Sequence, residues 1–146
     1  MTGGPAWGPP RRSIEAECAR RGRAAVVAGC VRLIGGDDSD TSLILTLGGP
    51  HAARVLHEGL PDVHRYWLRV WAVRGLLWAW EDSGLPGVRA ALDDPAWRVR
   101  EMAAKVVARH RLDDLLERVA ALRDDPVPRV RTAAARAVAV LTRAGT

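Results

Sequence analysis

Asp93-Asp94-Pro95-Ala96-Trp97-Arg98-Val99-Arg100 recurs 31 residues later as Asp124-Asp125-Pro126-Val127-Pro128-Arg129-Val130-Arg131, and this recurrence decides the fold. Between positions 93–107 and 124–138, 9 of 15 residues are identical, among them Ala103/Ala134, Ala104/Ala135 and Val107/Val138. A further step of 31 towards the N-terminus meets a weaker copy at Leu68-Arg69, Ala72, Arg74 and Leu76, whose start, Leu60-Pro61-Asp62, has lost the Asp-Pro order. Self-similarity at a fixed period of this size marks stacked supersecondary units, each too small to bury its apolar face alone.

The local signals inside each unit agree on helix. Asp94-Pro95 and Asp125-Pro126 read as an N-cap followed by proline at the first helical position, where a missing N–H costs nothing. Apolar residues then fall at helical spacing, Val99, Ala103, Val106 and Val107 in one copy and Val130, Ala134, Ala137, Val138 and Leu141 in the next. A shorter apolar helix precedes each, around Leu85–Leu92 and Leu112–Leu122. Each unit is therefore a short A helix, a tight turn and a longer B helix.

Working outward, residues 1–12 read as a flexible tail and residues 13–146 as one domain. Ser13 is placed to cap a helix over 13–34, with Glu15 and Glu17 in its first turns and Gly35-Gly36 ending it. Such a helix would cover the open end of the stack. Leu43–Leu47 reads as a helical turn, since no partner strand is in sight, and Pro50–Glu58 as the first A helix. The repeats then run over about 50–82, 83–111 and 112–143. The fold class is all-α, an α-α superhelix of about three helical hairpins with an N-terminal capping helix.

Composition fits this. The 146 residues include 24 Ala, 21 Arg and 6 Trp, but one Lys, one Tyr and no Phe, a mixture that favours helix and disfavours an all-β core. Residues 1–62 carry 7 Arg and 7 Asp/Glu, whereas residues 63–146 carry 15 Lys/Arg and 10 Asp/Glu, so the whole net charge of +5 sits in the second part. A basic surface suits an acidic protein, a nucleic acid or an anionic ligand, although a bias towards Arg, Ala, Gly and Pro codons would yield much of the same skew. The Gly/Pro-rich start is no signal peptide and Ala24–Val31 is too short to cross a membrane, so the expectation is a cytoplasmic protein without membrane contact. Cys18 and Cys30, 12 apart on the expected 13–34 helix, point different ways and read as small buried apolar residues.

The pattern Asp-Pro-x-x-x-Val-Arg-x-x-Ala-Ala-x-x-Val at 94–107 and 125–138 resembles HEAT repeats, particularly the short bacterial kind found also in phycobilisome lyases. The resemblance covers residues 85–143 well and 50–82 more loosely. It implies a superhelix whose surface holds another macromolecule, and no single activity, since the architecture carries adaptors, lyases and DNA glycosylases. It also implies that Arg100 bonds Asp94 and Arg131 bonds Asp125, six residues earlier, stitching the repeats together. Arg69 has no Asp at that offset.

The candidate site lies on the B helices. At 100° per residue, Trp67, Trp71, Arg74 and Trp78 share one face of the first, and the 31-residue step carries this face onto Arg98, Lys105 and Arg109, then onto Arg129 and Arg136. Stacking would align them into one strip, Trp-rich at one end and basic along the rest. Tryptophan beside arginine suits a protein interface, where both are common hot-spot residues. The combination suits nucleic acid equally, with rings for bases and guanidinium groups for phosphates. Trp71 also has a packing reading, because Met102 and Ala133 replace it in later repeats and the chain has few other large side chains.

Catalytic constellations are thin. His51, His57, His64 and His110 lack metal-ligand spacing and read as surface histidines. The Asp pairs 93/94, 113/114 and 124/125 stand where caps and turns need them. The HEAT-type alkylpurine DNA glycosylases set a catalytic Asp among Trp and Arg, but this chain is shorter, and its nearest Asp, Asp82, lies just past the strip. The expectation is a non-enzymatic module without cofactor or metal, gripping an acidic protein partner, with nucleic acid as the alternative ligand.

Overall fold

The computed structural model describes residues 10–143; residues 1–9 of the expected tail lie outside them, and residues 10–12 form the first turn of a helix. Among the described residues there are nine α-helices and no strand: α1 (Pro10–Arg21), α2 (Arg23–Ile34), α3 (Thr41–Gly48), α4 (Pro50–Glu58), α5 (Tyr66–Trp78), α6 (Leu85–Ala91), α7 (Trp97–His110), α8 (Leu116–Ala121) and α9 (Pro128–Thr142). Single turns of 3-10 helix stand before α5, α6 and α8 and after α8. Helices α5, α7 and α9 are the long B helices and stack side by side as the inner layer, while α6 and α8 pair with α7 and α9 on the outside.

Small residues set the spacing of the inner layer. Ala72, Ala103, Ala104, Ala133, Ala134 and Ala137 of the B helices are all buried, and small side chains at the contacts allow stacked helices to pack closely. Leu76, Val99, Val106, Val107 and Leu115 supply the bulk around them, so part of the alanine excess belongs to a repeat core built on small residues.

The first unit departs from expectation at three places. The 13–34 helix is two helices, because Gly22 takes a φ of 95°, open to glycine and strained for other residues, and turns the chain between Arg21 and Arg23. Ser13 consequently lies inside α1 rather than capping it, and Cys18 and Cys30 belong to different helices. Both cysteines are free; burial pushes the Cys30 thiol up to about 12. Finally, α4 packs on α3 instead of running along α5, and α2 takes the outer position beside α5 and α6 that Pro50–Glu58 was expected to fill. Helices α1 and α3 cover the remaining side of α5. Two glycines permit this crowding: a Cβ on Gly75 would lie 2.7 Å from Leu47 and 3.0 Å from Cys30, and one on Gly48 would lie 2.7 Å from both Ala52 and Trp71.

Glu17, buried in the middle of α1, ties these pieces together. It accepts from Arg20 and from Arg21 Nε at 2.6 Å, while Arg21 Nη1 donates to Asp40 at 2.8 Å. Asp40 in turn caps α3 by accepting from the Leu43 N–H at 3.0 Å, and the bond from Arg21 holds its carboxyl below the ordinary Asp range against its partial burial.

The Asp-Pro signals also act differently from the expectation. Helices α7 and α9 each start two residues later, with Ala96 and Val127 as N-caps, so neither Asp is a cap and neither Pro95 nor Pro126 is a first helical residue. Each Asp instead accepts the N–H two residues on, Ala96 at 2.8 Å and Val127 at 2.9 Å, forming the turn that leads into the helix. The Arg ladder is likewise shifted by one repeat. Arg69 donates to Asp94 through Nε at 2.6 Å and Nη2 at 3.1 Å, and Arg100 donates to Asp125 at 2.8 and 3.2 Å. Within its own repeat Arg100 reaches only the main-chain carbonyls of Asp94 and Pro95, and Arg131 does the same with Asp125 and Pro126. A carboxylate from the following repeat, not from the same one, completes each fork. Burial raises the Asp125 carboxyl, but its bonds from Arg100 and Val127 outweigh that and hold it below the ordinary range.

Candidate functional site

The inner layer brings most of the predicted strip together. Between α7 and α9 runs an open groove of about 720 Å³. Leu77, Ala108, Ala133 and Val140 supply its apolar lining, and Lys105, Arg109, Arg129 and Arg136 its cations. The 31-residue step explains the arrangement: 105 and 136 are one position in successive repeats, and so are 98 and 129, so helices stacked in register set like charges side by side.

The aromatic side chains are bound into this surface by arginines of neighbouring helices. The Arg98 guanidinium lies over Trp67 of the preceding repeat, 5.3 Å from the ring centroid, and over Trp97 beside it at 4.4 Å. Arg129 of the next repeat lies over Trp97 at 5.3 Å, and Tyr66 tilts against Trp67 with centroids 5.2 Å apart. The result is a row, Tyr66, Trp67, Arg98, Trp97, Arg129, running across three repeats. At the far end of α5, Trp78 carries two guanidinium groups, Arg109 at 4.9 Å and Arg11 of α1 at 5.4 Å. Each such contact contributes about 0.5–1 kcal/mol at a surface, and here it also fixes where a long, flexible side chain points.

Two predicted residues lie elsewhere. Trp71 is 7% exposed and packs in the core against Gly48, so the packing reading describes its place. Arg74 is half-buried and reaches across to α3, donating from Nη2 to the Leu47 carbonyl at 2.6 Å, where it satisfies the end of that helix. Burial lowers its pKa, and its Nε finds no hydrogen-bond partner. The turn of helix that separates 74 from 78 brings Arg74 under α3, which the repeat step alone does not reveal.

Several residues of the surface were not in the predicted set. Trp97 and Arg11 complete the aromatic contacts. Glu101 lines the groove between two of its cations, with Oε2 3.1 Å from Arg129 Nε and 3.7 Å from Lys105 Nζ. The i, i+4 spacing of Glu101 and Lys105 is the sequence signal that points to it. His110, expected at the surface, is half-buried: it stacks on Trp80 with centroids 4.9 Å apart and an interplanar angle of 15°, and Nε2 lies 2.7 Å from the Leu76 carbonyl. Burial lowers its pKa, outweighing the Leu76 bond that raises it, and so favours the neutral ring. A neutral ring protonated on Nε2 donates to Leu76 and ties the end of α5 to the end of α7.

Among the described residues Glu101 is the one carboxylate lining the groove, and Asp82 is exposed in the turn before α6. Among the described residues no three His, Cys, Asp or Glu side chains gather as a metal-holding group, and no helix is long and apolar enough to cross a membrane.

A family model described as HEAT repeats matches residues 47–139, nearly two thirds of the chain and almost the whole inner layer. No curated protein and no solved structure matches it.

Proposed function

The chain belongs to the HEAT-repeat family, and on that premise we propose that it is a non-enzymatic binding module that holds an acidic protein surface in the groove between α7 and α9. HEAT repeats generally serve protein–protein interaction, and the groove has the parts such an interface uses: an apolar lining of small side chains and a border of arginines.

The observation that carries the choice of partner is the occupancy of the five tryptophan rings among the described residues. Two guanidinium groups lie over Trp78 and two over Trp97, Trp67 has Arg98 and Tyr66, Trp80 has His110, and Trp71 is in the core. A single-stranded nucleic acid binds such proteins by stacking bases on free aromatic faces. Here the faces serve the protein itself and orient the arginines, whose N–H edges remain for carboxylates. Arg109 and Arg136 would take acidic groups of the partner, while its apolar side chains would cover Leu77, Ala108, Ala133 and Val140.

The test is reversal of those two charges. In cells that naturally make the protein, a tagged Arg109→Glu/Arg136→Glu variant should lose the acidic protein that the unaltered chain co-purifies, while its melting temperature falls by only about 2–4 °C through loss of the Arg109–Trp78 contact. Co-purification of nucleic acid alone, or of the same proteins by both forms, would overturn the assignment.

A further inference from the structure

We infer that Glu101 makes the groove selective for protein carboxylates over nucleic-acid phosphates, by engaging two of its four cations from within; the inference rests on the binding reading above. Only 12% of the Glu101 side chain is exposed, yet it lies between Lys105 on its own helix and Arg129 on the next, which are 48% and 65% exposed. It has no counterpart in the repeat pattern, since Val70 and Thr132 occupy the same position one unit before and one unit after. A carboxylate at this point is therefore a local addition to a strip that is otherwise basic.

Its effect follows from how the two ligand classes gain affinity. Nucleic acid binds in proportion to the number of phosphates neutralised, each releasing condensed counterions, so it needs several cations along one track. Lys105 and Arg129 would belong to that track, but each already pairs with Glu101, whose fixed negative charge stands beside both. Arg109 and Arg136 have no carboxylate within ion-pair distance among the described residues. Two cations without a carboxylate partner, beside an apolar lining, suit discrete acidic side chains on an amphipathic protein segment and are a poor match to a continuous polyanion.

The experiment uses the whole chain and a fluorescent oligothymidylate of about 16 nucleotides, a length within the footprint of single-strand binders, with anisotropy followed from about 50 to about 200 mM salt. The unaltered protein should bind weakly, with a shallow slope of log affinity against log salt. Glu101→Gln should bind about fivefold tighter or more at low salt, the gain expected from removing one repulsion at about 4 Å in water. Its slope should steepen by about 1.4, the increment for two added single-strand phosphate contacts. Glu101→Thr, which installs the side chain of the next repeat, should do the same through a different shape, and adding Arg129→Ala should reverse part of the gain. Glu117→Gln, an equal charge change on the outer helix α8, should leave binding unaltered. Equal behaviour of the Glu101 and Glu117 variants would overturn the inference and leave the protein-binding reading standing. A steep slope already present in the unaltered chain would overturn both.

Discussion

Replacing Arg100 by Gln tests the repeat ladder where it is most enclosed. Arg100 is 14% exposed and Asp125 only 3%, and the guanidinium supplies both charged bonds to that carboxylate, at 2.8 and 3.2 Å. In Arg100→Gln, Asp125 keeps the Val127 N–H and the electrostatic help of Arg131 but loses both bonds from its ion-pair partner, and breaking a buried pair in this way typically costs about 3–5 kcal/mol. Arg131→Gln is the internal control. It removes the same side chain from the equivalent position, where the guanidinium is exposed and bonds only two carbonyls, and should cost no more than about 1 kcal/mol. Urea and thermal unfolding measure both; for a chain of this size the first should lower the melting temperature by roughly 10 °C or more. Asp125→Asn added to Arg100→Gln should recover part of the loss by removing the stranded charge. Because the Asp125 pKa is depressed in the folded state, the pair's contribution is present above the ordinary Asp range and fades as pH falls through the lowered value, so the two variants should converge in acid. Equal destabilisation by Arg100→Gln and Arg131→Gln at neutral pH would refute the assignment of the ladder to the following repeat.

Other consequences are equally direct. His110 has a lowered pKa in the folded state, so its contribution to stability is complete above about pH 6.5 and declines as pH falls below that value; His110→Asn should flatten this part of an unfolding profile measured by urea titration. Gly48→Ala forces a methyl to within 2.7 Å of the Trp71 ring and of Ala52, and should lower stability by about 1–3 kcal/mol in the same assay. Trp71→Ala should cost about 3–5 kcal/mol, whereas Trp78→Ala, at the half-buried end of α5, should cost less and instead weaken partner capture by releasing Arg109.

The sequence made the second and third repeats legible because their 31-residue spacing, buried alanines and Asp-x turns are strictly local. It misread how those turns act, since an Asp two residues before an N-cap and an Asp at the N-cap leave nearly the same pattern. The first unit was harder. Gly22 lies inside a run whose apolar spacing suits one continuous helix, and only its positive φ turns that run into two. The exchange of α4 for α2 beside α5 is a matter of which helix packs on which, and no local signal reports it. In the candidate site, the alignment of Lys105 with Arg136 and of Arg98 with Arg129 followed from the repeat step. The cross-repeat placement of Arg98 over Trp67 depends on the stagger between helices, which the step does not give. Trp71 and Arg74 fell out of the strip for the same reason: the helices added before the first repeat cover that part of α5 and turn an exposed position into core.

On the proposed function, a protein partner sits in the groove between α7 and α9. A photo-crosslinking amino acid at Thr132, exposed in that groove, compared with one at Ala90 on the outer helix α6, tests it most directly in cells that naturally make the protein. Thr132 should crosslink to one protein, through a peptide rich in Asp and Glu beside apolar residues, and Ala90 should not. Crosslinking of that protein at Ala90 alone, or of nucleic acid at Thr132, would contradict the claim.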